Sequence, residues 1–545
     1  MRAEWRVARA EPEAAQALAR ALGLHPLTGQ LLINRGVREP AQAARFLQPT
    51  ADTLSDPGDI PGLMRAADRL RAAIQQREPI VLFGDSDVDG LTASAILYEV
   101  LQELGGQVTA VQSNRLADGY GLPSSLVRRL GRGAPALLLL VDCGTNQADE
   151  IHGLAGRGIQ TVVVDHHVPL RGAAAPFALV NPHATGGPGQ ELCSAGLAFK
   201  LAQALLQEQR PERLLAFVDL AALGTLADCS RLVGDNRVFV REGLPRIVDS
   251  RRRGLRRLCE ATATRAADPD QVIRRLIPRL NAGGRLGESA NIWRLLLEAQ
   301  DERMEAWATA AESAHGEVKQ LHRQTLAEAF EQVSRLHFKD QHVLVVSRAG
   351  WPPGVMGPVA AQLAQQYGRP AIAIAMGDAQ GVGSGRSIPL FNLLAAVQAC
   401  EQWLVRFGGH AQACGMTVDR RHLDAFHAQL NDQAHGALGQ PGRRPARIID
   451  LELTLAGLEP GWIGETERFK PFGAGNPKPT VLIRQVRIEP ASARTGMVTD
   501  GQIRCAARGE FRDVALGARY DVLASPAVTK GLELLVSDAR AAGGP

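Results

Sequence analysis

The chain has 545 residues, enough for three or four domains with ample cores. Its net charge of +4 is a mild basic bias that selects no partner by itself, and arginine far outnumbers lysine. The seven cysteines, Cys143, Cys193, Cys229, Cys259, Cys400, Cys414 and Cys505, form no C-x-x-C pair. That spacing excludes a zinc ribbon and a disulfide framework and suits a reducing cytosol. The N-terminal MRAEWRVARAEPEA lacks the apolar core of a signal peptide, and no run approaches the ~18 apolar residues of a membrane span. A soluble cytoplasmic protein, with no membrane association, is expected.

Residues 1–60 read as a helical, loop-rich segment ending in the breaker-rich SDPGDIPG (55–62). From 61 to 299 short apolar runs alternate with helical patterns: IVLFG (80–84), VTAV (108–111), ALLLLVD (136–142), TVVVD (161–165) and ALVNP (178–182), with helices such as 91–104 and 146–156 between them. This alternation predicts a mostly parallel sheet flanked by helices, with its binding crevice beyond the carboxyl ends of the strands.

The first run leads into GDSDVDG (84–90), where Asp85, Asp87 and Asp89 stand at alternate positions. Carboxylates packed together stay ionised only beside strong positive charge, and hard divalent cations are its usual source. D-x-D-x-D-G also opens a calcium-binding EF-hand loop, but position twelve, where a bidentate Glu is needed, is Ile96 here. Two further runs end in Asp142 and Asp165, and His166 and His167 follow the latter with nitrogens suited to a metal such as manganese. Asp228 closes an apolar helical stretch, LGTLAD (223–228). One Asp after a strand is often only a helix cap. Several acids and a His pair at one sheet edge point instead to a metal site.

Residues 300–338 predict one long charged helix joining two domains. A second α/β unit, 339–440, holds HVLVVS (342–347), a helix at 359–367, AIAIAM (371–376) and a helix near 390–405. Its GVGSGRS (381–387) and FGGH (407–410) read as glycine-rich turns, either plain structural turns or phosphate-binding loops in which Arg386 pairs bidentately. The run RRRGLRR (251–257) is open in the same way, compositional or phosphate-binding. PGRRP (441–445) reads as a linker. Residues 441–545, with VLIRQVRI (481–488), IRCAA (503–507) and DVALGA (513–518), fit a small OB-like barrel.

Taken together, GDSDVDG, NRLADGYG (114–121), VDCG (141–144), VDHH (164–167), LGTLAD, PRLNAGGRLG (278–287), GWPPGVMGPVA (350–360), GSGRSI (383–388), FGGH and PFGAGNPKP (471–479) follow one another in family order. The chain resembles the DHH phosphoesterase superfamily, most closely its RecJ family of single-strand-specific exonucleases. The resemblance implies two α/β catalytic domains around a cleft, a DHH domain and a DHH-associated domain joined by the long helix, followed by an OB-like barrel that helps enclose the DNA path.

It further implies a metal-dependent 5′→3′ exonuclease that degrades single-stranded DNA, in repair and recombination, with two Mn²⁺ or Mg²⁺ ions. By that resemblance Asp85 serves one ion, Asp87, His166 and Asp228 serve the other, and Asp142 bridges them. His167 is expected to face the scissile phosphate, while Asp89 and Asp165 fix loop and imidazole geometry. Arg115, Asn281, Arg285, Ser384, Arg386 and His410 are expected to bind backbone phosphates, Ser384 and Arg386 seating the 5′ end. A single-strand-binding protein and a helicase are the implied partners, and a monomer is expected.

Some features depart from the family pattern. Ser86 and Val88 stand where Tyr and Ala are more common, which predicts altered packing, not lost catalysis. Ala282-Gly283-Gly284-Arg285 replaces Ala-Ala-Gly-Arg. The chain is expected to lack the extra C-terminal domain of some longer members. Two other readings share the scaffold: a hydrolase of short oligoribonucleotides or cyclic dinucleotides, and a non-catalytic nucleic-acid-binding scaffold. The segments flanking the two α/β units favour a polymer substrate, and the full set of ligand-type residues favours catalysis.

Overall fold

The computed structural model describes residues 4–119, 121–130, 137–170, 174–206, 210–265, 268–297, 302–336, 341–438, 446–512, 514–528 and 531–542. The chain divides into two compact units. One comprises Leu54–Ser230 and Val238–Arg443; the other comprises Met1–Thr53, Arg231–Arg237 and Arg444–Pro545.

The first unit contains two sheets. The parallel sheet has the order Gln107–Gln112, Pro79–Gly84, Leu137–Val141, Gln160–Val164, Ala178–Val180. Leu137–Val141 is apolar and wholly buried at every position, as a central strand covered on both faces must be. On one face Leu138, Leu140 and Val163 pack with Leu126 and Leu130 of helix Ser124–Leu130 and with Ile151 and Leu154 of helix Ala148–Ala155. Elsewhere in the unit, helix Val88–Glu103 packs on Ser194–Leu206 and Val218–Ala227. Asp87 starts the first of these: its backbone is extended and its side chain accepts from the Gly90 N–H at 3.2 Å, a cap worth about 0.5–2 kcal/mol.

Helix Met304–Ser334 follows, inside the expected 300–338; residues 298–301 and 337–340 lie outside the described part. The second sheet is mixed, with the order Leu404–His410, Ala413–Asp419, Gln380–Arg386, Ala371–Met376, Leu344–Ala349. GVGSGRS and FGGH, expected as turns, are not: residues 381–386 and 407–410 lie on strands. Gly381, Gly383 and Gly385 fall at alternate positions on one face, where a Cβ would press on Ile374 and Met376, on Ile374 and Met416, and on Leu393 and Cys414. The glycines answer to close packing. The helix expected near 390–405 spans only Leu393–Gln398, because the chain turns at Glu401–Trp403 into strand Leu404–His410.

In the second unit, the N-terminal segment is not purely helical. Strand Glu4–Val7 pairs in parallel with Ala446–Ile449. Helices Pro12–Leu22, Pro26–Asn34 and Pro40–Leu47 share one core with Leu455, Trp462, Phe469 and the C-terminal strands. The barrel runs Val481–Pro490, Thr495–Thr499, Arg504–Arg508, Leu532–Ala541, Arg519–Val528 and closes back on Val481–Pro490, as an OB-like domain should. Most of DVALGA forms a turn, not a strand, with the Ala515 N–H donating to the Tyr520 hydroxyl at 2.8 Å; Asp513 and the PGRRP linker lie outside the described residues. Among the described residues no helix is long and apolar enough to cross a membrane.

Candidate metal centre

The parallel ladder continues one residue past each strand. Ser113 N–H donates to Gly84 O (2.8 Å), Asp85 to Val141 O (3.2 Å), Asp142 to Val164 O (2.9 Å) and Asp165 to Val180 O (3.1 Å). The backbone therefore sets Ser113, Asp85, Asp142 and Asp165 in a row along the carboxyl edge, where ligands bind in such sheets. Asp142 holds φ 61°, a left-handed conformation uncommon for a residue with a side chain, and Cys229, next to Asp228, does the same at 56°. Such backbone concentrates at functional sites.

Asp85, Asp87 and Asp142 each offer an oxygen to one small group; Asp89, Asp142 and His166 form a second, and Asp142, Asp165 and His167 a third. In the second group the His166 Nε2 lies 3.5 Å from Asp142 and 3.6 Å from Asp89. Asp228, at the end of helix Val218–Ala227, stands 4.0 Å from the other His166 nitrogen, Nδ1, and accepts from the Ser230 hydroxyl at 2.8 Å.

Burial and the charges of Asp87, Asp89, Asp85 and Asp165 push the Asp142 carboxyl well above the usual range. Burial also raises Asp89 to about 6, aided by Asp228 and Asp87 and opposed by His166. Asp85 goes the other way, since the Arg115 guanidinium and the Ser113 hydroxyl (2.8 Å) outweigh its burial and lower it. Burial opposes ionisation of the Asp165–His167 pair too. Their mutual charge and a 2.7 Å hydrogen bond win, holding Asp165 low and raising His167 to about 9. Asp165 also accepts the N–H groups of His166 (2.8 Å), His167 (3.2 Å) and Thr145 (3.0 Å), which fixes the turn. Six carboxylates, those of Asp85, Asp87, Asp89, Asp142, Asp165 and Asp228, crowd around His166 and His167 and outnumber the neighbouring cations, Arg115 and His167, a donor set that fits a divalent cation of the magnesium or manganese class.

Residues 79–225 match the DHH family, N-terminal domain, residues 340–436 the DHHA1 domain, and residues 449–504 the RecJ OB domain. Single-stranded-DNA-specific exonuclease RecJ of Bacillus subtilis (strain 168) is 34% identical over 492 residues; the match covers 89% of this chain but only 62% of that relative's length. Single-stranded-DNA-specific exonuclease RecJ of Dickeya dadantii (strain 3937) is 31% identical over 488 residues, covering 84% of this chain and 83% of that protein. The chain belongs to the RecJ family. Among solved structures, RecJ from Thermus thermophilus in complex with Mn²⁺ is similar with a TM-score of 0.84 at 29% identity, covering 99% of this chain and 80% of that one.

The residues expected on phosphates in a RecJ-type protein fall into three kinds of surroundings. Arg285 and Arg386 are half-buried; desolvation lowers the pKa of both, as does the charge of Arg115 beside each, so the three form a cationic cluster. Arg386 donates to the Ser384 hydroxyl at 3.0 Å, and a Cβ at Gly357 would press on both side chains. His410, from strand Leu404–His410, stacks on His167 and is depressed to about 4 by burial and by the charges of His167 and His166. Arg115 and Asn281 instead contact the first motif. Arg115 donates to Asp85 through both Nε (3.1 Å) and Nη2, and through Nη2 to Asp87 (3.0 Å). Asn281 Oδ1 accepts from the Val88 N–H at 3.1 Å, at the start of the motif helix.

The arginine run is structural for the most part. Arg252 is buried against Asp219 (3.0 Å) and Glu99 (2.9 Å), Arg251 donates to Ala216 O, and Arg257 pairs with Glu305. Ser86 and Val88 are both buried, packed under the Asn281 helix and in the core. Sequence reasoning missed Ser113 and Ser194, whose hydroxyls reach Asp85 and Asp142 at 2.8 Å. Ser113 was discoverable as the polar residue just after strand Gln107–Gln112; nothing in ELCSAG marks Ser194.

Proposed function

We propose that this chain is a divalent-metal-dependent exonuclease that degrades single-stranded DNA from the 5′ end, hydrolysing one phosphodiester after another. The observation that carries the proposal is the position of Asp142, shared between the Asp85–Asp87 group and the Asp89–His166 group. By the family resemblance Asp85 would hold one ion, Asp87, His166 and Asp228 the other, and Asp142 both; in this structure Asp87 groups with Asp85, and Asp89 stands beside His166. Bound there, Mn²⁺ or Mg²⁺ supplies a water of lowered pKa and offsets charge on the phosphoryl oxygens. The Mn²⁺ complex of the Thermus relative supports this reading.

The protein's own groups do the rest. Asp165 accepts a hydrogen bond from the His167 Nδ1–H and keeps the ring protonated, so that a second N–H, at Nε2, would donate to a phosphoryl oxygen. Asp89 and Asp165 keep the loops that bear the ligands in place. Arg285 and His410 would hold backbone phosphates, Arg115 and Asn281 brace the first motif that they contact, and Ser384 with Arg386 would seat the terminal 5′ phosphate, which sets polarity. Contacts to phosphate read no bases, so sequence preference is slight. The setting is DNA repair and recombination in the cytoplasm, the protein acting as a monomer with a single-strand-binding protein and a helicase. The free cysteines support a reducing compartment.

The test is digestion in Mn²⁺ of a single strand labelled at its 3′ end, beside the matching duplex and a dinucleotide. Shortening from the 5′ side on the single strand alone is expected. Turnover confined to the dinucleotide would contradict the proposal and favour the short-oligonucleotide hydrolase.

A further inference from the structure

Ser194 is wholly buried at the first turn of helix Ser194–Leu206, and its hydroxyl donates to Asp142 Oδ1 at 2.8 Å. The same residue is held from behind. Asp89 accepts the N–H groups of Ser194 and Ala195, one on each carboxylate oxygen, both at 2.8 Å. Two of the helix's otherwise unpaired N–H groups are thereby satisfied by one carboxylate. Asp142 sits on a left-handed backbone, uncommon for a residue with a side chain, and the Ser194 hydroxyl is a side-chain partner that defines the plane of its carboxylate. A serine hydroxyl has one proton to give. Given to Oδ1, it uses one of roughly four lone-pair positions of the carboxylate and leaves the others for cations.

We infer that Ser194 is a positioning residue for the metal centre: its hydroxyl fixes the plane of the shared carboxylate Asp142, and Asp89 fixes Ser194. The inference rests on the metal-centre reading above and deepens it. Asp89 therefore acts chiefly through the helix it caps, and the segment ELCSAG joins the functional motifs. Gly224 completes the arrangement, since a Cβ there would meet Asp89 Oδ1 at 2.8 Å and also press on Ala195.

The experiment measures Mn²⁺ binding to the full chain by the loss of the free-ion electron paramagnetic resonance signal, together with melting of the metal-free protein. Three variants are compared with wild type: S194A, S194C, which keeps the volume with a feeble donor, and S194T, which keeps the hydroxyl. S194A and S194C are expected to bind Mn²⁺ about tenfold more weakly, the usual scale for loss of a ligand's supporting hydrogen bond. S194T is expected to stay within about threefold of wild type. Wild-type affinity in S194A and S194C, or equal weakening in S194T, would overturn the inference with the metal centre intact. Absence of Mn²⁺ binding in wild type would overturn the metal reading itself.

Discussion

The His410 ring stacks on that of His167, with centroids 5.1 Å apart and planes 21° from parallel. One residue lies in the loop after a parallel strand of the first sheet, and the other ends an edge strand of the mixed sheet. With His166, whose ring centroid lies 5.2 Å from that of His410, the pair is one place where the two sheets contribute to one chemical surface. Burial, with the charges of His167 and His166 beside it, lowers His410 to about 4, so at neutral pH it is a hydrogen-bonding group rather than a counterion. H410A is expected to raise KM for single-stranded DNA about tenfold, the loss of one hydrogen bond to a charged group, with Mn²⁺ affinity unchanged. Steady-state kinetics beside metal titration checks this, and a parallel loss of Mn²⁺ binding would contradict it.

Gly224 should not tolerate a methyl group. It lies in helix Val218–Ala227, where a Cβ would meet Asp89 Oδ1 and Thr92 Oγ1, each at 2.8 Å. G224A is expected to cost about 1–3 kcal/mol, as overpacking does, and to weaken Mn²⁺ binding by displacing Asp89. Urea unfolding and metal titration of the same variant report the two effects.

Stability away from the site depends on Arg252. Its guanidinium is fully buried and donates to Asp219 (3.0 Å), Glu99 (2.9 Å) and the Leu296 carbonyl (2.7 Å). D219A would remove the more buried of that charge's two carboxylate partners and is expected to cost about 3–5 kcal/mol. The urea midpoint should fall accordingly, while kcat of the folded fraction is retained.

The buried thiols set a pH limit. Burial pushes Cys259 and Cys414 up to about 12 and Cys400 up to about 11. Unfolded cysteines ionise near pH 8.5, roughly the model-peptide value, so above it the unfolded chain holds fewer protons than the folded one and stability falls as pH rises. Melting temperature in reducing buffer is expected to decline steadily between about pH 8.5 and 10, and less so in a C259A/C414A variant.

How much was legible depended on the range of the interaction that decides each element. The five parallel strands were visible because each is a short apolar run closed by a polar residue, and the same runs located Asp85, Asp142 and Asp165. Glycines 381, 383 and 385 were misread because turn chemistry and a crowded strand face use the same residue; the difference lies in Ile374, Met416 and Leu393, which no local window includes. Glu4–Val7 has its only partner at Ala446–Ile449 among the described residues, so local pattern held no sign of it. Nothing local marks Ser194, whose role depends on a hydrogen bond from its helix to Asp142 at the end of a parallel strand. Arg115 was expected on phosphate from resemblance, whereas its contacts to Asp85 and Asp87 needed the loop after strand Gln107–Gln112 in three dimensions.

The central claim is that Asp142 organises a metal centre for hydrolysis of single-stranded DNA. The most direct measurement is the rate of release of nucleotides from a 5′-phosphorylated single strand as Mn²⁺ is titrated, for wild type and D142A. Saturable, Mn²⁺-dependent release by wild type is predicted, with D142A slower by at least about a thousandfold, on the scale of losing a principal electrostatic contribution to catalysis. Equal rates for the two proteins, or strand binding by wild type with no release at any Mn²⁺ concentration, would contradict the account.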